Sequence, residues 1–170
     1  KPKLRLYERG TASLPHRDYH VSEAAPYFDR ELTKPEYPTG LPPQDPTSHI
    51  QHRMYRKLGP HVEFLGYDLS KNRIHAGDIF VLTLYWRALG KMAESYTVFT
   101  HVEDSGVVWA QKDHPPLCGT QPTSEWEPGR VYVDPYVIVT DAEIPPGPHP
   151  IIAGMYRFGT GERLPVSNAE

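Results

Sequence analysis

At 170 residues the chain is expected to hold one domain, with room for a tail or a small second unit. Its 38% hydrophobic residues suffice for one core, and 23% charged residues with a formal net charge of -3 give no electrostatic basis for nucleic-acid binding. The single cysteine, Cys118, excludes an internal disulfide, and no apolar run reaches the roughly 18 residues that a membrane-spanning helix needs.

The first residue is Lys1 rather than Met, and no signal peptide is visible. The expectation is a processed product or a piece of something longer. Residues 1–46 are broken every few positions by proline, from Pro2 to Pro46. Only Leu4-Arg5-Leu6-Tyr7 reads as a short edge strand, and Ser22 could cap one helical turn. A disordered tail is one reading of such a segment. Tyr7, Tyr19, Tyr27, Phe28 and Tyr37 argue against it, because disordered tails are poor in aromatics. The segment is therefore read as an extended Pro/Tyr-rich arm that binds a partner or lies on its own domain. In residues 47–60, Ile50, Met54 and Leu58 recur at a spacing of four, with Gly59-Pro60 as a stop. This predicts a short helix and lead-in, the alternative being an irregular approach to the first strand.

Residues 61–170 carry the punctuation of an all-β domain. His61–Leu69 is strand-like, and Ala76-Gly77-Asp78 is a turn. The spine is Gly77–Asp104, where Phe80, Leu82, Leu84 and Trp86 fall on one face of an extended chain. The hairpin turn Glu103-Asp104-Ser105-Gly106 leads into Val107–Gln111. A long loop, Asp113–Gly129, precedes strands at Val131–Thr140, Ile151–Phe158 and Arg163–Val166. Pro150 removes a ladder donor, so the Ile151 strand should be an edge or start late. About seven strands with regular turn signals predict an antiparallel β-sandwich, since each sheet has one apolar side to bury.

Several patches then occur in order: LGYDL, PT followed by W-x-PG, VD-x-Y, IPPG and TGERLPV, across about Val62 to Val166. In this order they resemble the C-terminal extracytoplasmic domain of bacterial membrane glycosyltransferases similar to the dolichyl-phosphate-mannose mannosyltransferases. The resemblance implies an immunoglobulin-like or carbohydrate-binding-module-like sandwich, non-catalytic and outside the membrane. It does not reach residues 1–60. His149-Pro150 departs from the Tyr-Thr pair of that pattern, and Arg157-Phe158-Gly159 from its Asp-Pro lead into the last turn.

The densest polar cluster is His101, Asp113, His114 and Asp134. Imidazole and carboxylate suit zinc or manganese, but the spacing matches no ligand motif. The favoured reading is a structural network in which a strand histidine bonds an aspartate at the base of the long loop, with no metal and no cofactor. Ser124, His114 and Asp134 lack the nucleophile elbow and oxyanion-hole pattern of a hydrolase. Trp126, between Glu125 and Glu127, has two readings: a stacking platform for a sugar together with Trp109 and Tyr132, or a plug that anchors the long loop on the core. Cys118 reads as a small buried residue or a bystander. These readings lead to a non-enzymatic extracytoplasmic accessory or assembly subunit, membrane-associated or on the cell surface, that docks on a larger partner through its arm. The alternatives are a carbohydrate-binding module using surface aromatics and, more remotely, a metal-dependent enzyme.

Overall fold

The computed structural model describes Leu4–Leu6 and residues 45–168. Tyr7, Tyr19, Tyr27, Phe28, Tyr37 and the turn after Ser22 lie outside the described residues. Among the described residues the fold is all-β: β1 (Leu4–Leu6), β2 (His52–Leu58), β3 (Val62–Leu69), β4 (Ile79–Ala88), β5 (Thr97–Asp104), β6 (Val107–His114), β7 (Val131–Val139), β8 (Ile151–Tyr156) and β9 (Val166–Asn168). They form a four-stranded sheet of order β1-β8-β5-β6 and a five-stranded sheet of order β7-β4-β3-β2-β9. The two sheets make a β-sandwich.

The alternation in β4 sets the core. Phe80, Leu82, Leu84, Trp86 and Ala88 point inward, and in β7 so do Tyr132, Asp134, Tyr136 and Ile138. Val98, Val102, Ala153 and Met155 from the facing sheet complete the same apolar cluster. Trp86 is fully buried, with its ring 4.9 Å from that of Phe64. Burying a large apolar side chain of this kind stabilises by about 1.5–3 kcal/mol.

The helix expected over residues 47–60 is not formed. Residues 52–58 are strand β2, antiparallel to both β3 and β9. A spacing of four places side chains on one face of a helix, but it is also two full repeats of a strand. The partner strands therefore decide, and their backbone groups pair with β2 along its length. A bulge between Arg53 and Arg56, with Tyr55 at φ 52°, absorbs one extra residue. Gly66 lies across from this bulge. A Cβ there would sit 2.3 Å from the His52 carbonyl oxygen, so only glycine permits the approach. Ile50 packs on Leu65 and Tyr85, a small second cluster on the opposite face of the five-stranded sheet from the main core.

β8 begins at Ile151, directly after Pro150. It is not an edge strand: β5 flanks it on one side and β1 adds in parallel on the other. The start of the arm is thus a strand of the chain's own sandwich. The last segment bridges the two sheets instead of forming one strand at Arg163–Val166. Arg163 pairs with Tyr156 at the end of β8, and Val166–Asn168 then pairs with β2.

Candidate functional site

Three strand ends meet at one end of the four-stranded sheet. The register sets Thr97 beside Tyr156 and Val98 beside His114, which brings the start of β5 together with the ends of β6 and β8. They enclose an open cleft of about 370 Å³, lined chiefly by Tyr96, Asp113, His114, Pro115, Tyr156 and Phe158. Phe158 is 79% exposed at its lip. It lies beyond the end of β8, not within the strand expected over Ile151–Phe158. The turn that carries it is tightly bonded. Arg157 N–H donates to the Glu162 carbonyl at 2.9 Å, and Gly161 N–H donates back to the Arg157 carbonyl at 2.8 Å. The Arg157 side chain is held by the carboxylates of Glu94 and Glu162.

The polar cluster read from the sequence does not converge on one point. Successive strand residues face opposite sides, so Asp113 and His114, both in β6, diverge. Asp113 shares the outer face of the sheet with Phe99 and His101, whereas His114 turns inward. His101 Nε2 approaches Asp113 Oδ1 at 3.4 Å, without hydrogen-bond alignment. The Tyr156 hydroxyl faces the same carboxylate, and burial, followed by the Asp113 charge, pushes it above the ordinary phenol value. The Phe99 ring packs between His101 and Tyr156, tilted to both, and closely over residue 154, which only a glycine permits: a Cβ there would come within 2.6 Å of the ring. Arg163 covers the other side, 4.4 Å from the ring centre.

On the inner face the His114 ring stacks on Tyr136 at 4.2 Å and 8°, and its Nδ1 lies 2.8 Å from the Pro115 carbonyl. A carbonyl only accepts, so this nitrogen carries the proton. Asp134 is fully buried in β7. Its Oδ2 accepts from the Tyr136 hydroxyl at 2.6 Å and its Oδ1 from Leu117 N–H at 2.9 Å. Burial pushes the Asp134 carboxyl above its ordinary value, outweighing these two bonds and nearby His114, which favour the charged form. The Leu117 bond fixes a turn in which Leu117, Cys118 and Gly119 are all left-handed, at φ 52°, 54° and 84°. The strand histidine His101 thus approaches Asp113, the first residue of the long loop, while Asp134 holds the loop through the Leu117 backbone amide. Cys118 is exposed at the turn, not buried. Among the described residues, no group of three His, Cys, Asp or Glu side chains is placed to hold a metal ion. Ser124 Oγ bonds Ser95 Oγ at 2.8 Å.

Trp126 and Tyr132 do not form a sugar platform. Both are buried, and they stack on each other at 4.2 Å and 7°. Trp126 Nε1 donates to the Gln121 carbonyl at 3.0 Å, and the Tyr132 hydroxyl accepts from Glu127 N–H at 2.8 Å. Trp126 plugs the long loop onto the core, and neither ring offers a free face. Trp109 is half-buried against the core. Among the described residues the aromatics exposed to solvent are Phe158 at the cleft and Tyr55 on β2, while Tyr96 and Tyr156 line the cleft half-buried. No periodicity in the sequence marks the cleft aromatics, because Tyr96 and Phe158 flank strands and Tyr96 is distant in the chain from Tyr156 and Phe158.

A second surface stands out on the opposite side of the molecule. The outward residues of β7 are Val131, Val133, Pro135, Val137 and Val139, beside Arg87, Tyr85, Thr83, Val81 and Ile79 of β4. Ile79 is 51% exposed, Val137 51% and Val139 59%. No helix among the described residues is long and apolar enough to cross a membrane.

Comparison with protein-family models, curated proteins and solved structures returns no match for this chain. The functional reading therefore rests on the geometry above.

Proposed function

We propose that this chain is a non-catalytic, extracytoplasmic accessory domain that docks on a larger protein partner. The observation that carries this reading is the outer face of β4 and β7. An antiparallel sheet with one face in water ordinarily alternates apolar inward and polar outward. β7 does not: its outward positions are four valines and a proline, and the adjacent Val81 and Ile79 extend the strip. Contiguous exposed apolar surface of this kind marks an interaction site. The strip from Ile79–Val139 to Thr83–Pro135 contains no charged or aromatic side chain, and Tyr85 and Arg87 farther along the same face are engaged by Asp68 and Glu63. A surface that sits on lipid carries basic residues and interfacial aromatics, so the occupant that fits is an apolar protein surface. The arm, with Tyr7, Tyr19, Tyr27, Phe28 and Tyr37, contributes aromatic contact area in the same reading.

The location outside the membrane follows from the resemblance to the glycosyltransferase-associated domain and is part of the proposal. The test is purification of the native chain from its membrane fraction, repeated with Val137→Glu and Val139→Glu combined. A stoichiometric complex with one partner that the double variant loses, while its unfolding curve stays unchanged, supports docking through this face. A complex that survives the double variant, or a native chain recovered as a free monomer or a homodimer, refutes it.

A further inference from the structure

We propose that the cleft between Tyr96, Asp113, Tyr156 and Phe158 is a binding subsite for a single neutral sugar ring. The site is separate from the docking face and does not depend on it. Three properties of the cleft select this chemistry. The first is a presented ring. Phe158 is 79% exposed on a turn closed by two backbone hydrogen bonds, so its exposure is imposed by the fold and is not the result of a loose loop. An aromatic face held in water attracts the C–H face of a pyranose, which is apolar across three or more adjacent carbons. The second is a set of polar groups at the edge of the rings. The Asp113 carboxylate can only accept, and it is one-third exposed. Sugar hydroxyls are donors that match it, and the Tyr156 hydroxyl beside it can both donate and accept. The third is size. A volume of about 370 Å³ lies at the lower end of ligand pockets, which run from about 300 to 1,000 Å³, so the cleft takes one ring and not a buried oligosaccharide.

Charge distinguishes a sugar from the other ligand that aromatic rings and a carboxylate could hold, a quaternary ammonium. Arg163 lies against Phe99 beneath the cleft and acts on Tyr156, and His101 approaches Asp113 from the other side. Each polar group of the cleft thus has a basic neighbour, Arg163 for Tyr156 and His101 for Asp113, which disfavours a cation and leaves a neutral polyol as the fitting occupant.

The experiment is a titration of the full chain with D-glucose, D-galactose, D-mannose and N-acetylglucosamine, followed by ligand-observed and amide NMR. Tetramethylammonium chloride serves as the cationic probe. The expected result is saturable binding of at least one sugar with a dissociation constant of about millimolar order, as suits a small ligand on an open site. The shift changes should centre on Tyr96, Asp113 and Tyr156. Phe158→Ala should weaken binding by about tenfold or more, with the fold intact because the side chain is mostly in water. Asp113→Asn should weaken it by a smaller factor, since the amide still offers one acceptor. The proposal is overturned by no saturable shift with any of the four sugars up to about 100 mM. It is equally overturned by sugar binding that Phe158→Ala leaves unchanged, or by tetramethylammonium binding in the cleft more tightly than every sugar.

Discussion

Replacing Trp126 by alanine tests how the long loop is held. The indole is completely buried, it stacks on Tyr132 at 4.2 Å, and its Nε1 donates to the Gln121 carbonyl. Removing a buried aromatic of this size costs about 3–5 kcal/mol through lost transfer energy and the cavity left behind. For a chain of this length each kcal/mol moves the melting temperature by about 2–4 °C, so a fall of about 6–20 °C is expected. Trp126→Phe keeps a ring against Tyr132 but loses the Nε1 bond, worth about 1 kcal/mol, so its cost should lie well below that of alanine. Urea unfolding of the three proteins measures this, with equal m-values showing that the same surface is exposed each time. A loss below about 1 kcal/mol for Trp126→Ala, or equal losses for Ala and Phe, would refute the plug and reopen a surface role for the ring.

Two further outcomes follow from the core and the bulge. Asp134 keeps its proton to a higher pH in the folded chain than its ordinary value of 3.8. The native state therefore binds more protons than the unfolded chain between that value and the raised one, and this contribution to stability is present below 3.8 and lost as pH rises through the folded pKa. The difference in unfolding free energy between the wild type and Asp134→Asn should accordingly fall as pH rises from acid towards neutrality; a difference that is flat with pH contradicts the assignment. Gly66→Ala places a Cβ against the His52 carbonyl oxygen and the Arg53 Cα, both backbone atoms, so β2 must move. A loss of about 1–3 kcal/mol is expected from denaturant midpoints, and an unchanged midpoint would show that the bulge yields freely.

What the sequence determined by itself is the alternation downstream of His61. Phe80, Leu82, Leu84 and Trp86 can share a face only in an extended chain, and a face that apolar needs a facing sheet, so the all-β sandwich followed from local residues alone. The delayed start of β8 after Pro150 followed in the same way, from a missing N–H. The tertiary structure decided whatever depended on which segments become neighbours. The spacing of Met54 and Leu58 fits helix and strand alike, and pairing with β3 and β9 selected the strand, which leaves Ile50 ahead of β2 and on the other face of the sheet. His101, Asp113, His114 and Asp134 are close along the pattern, yet continuing β6 through His114 sends its last two side chains to opposite faces and splits the cluster. Tyr96, Tyr156 and Phe158 carry no mark in the chain, because a cleft made of three strand ends exists only once register brings those ends together.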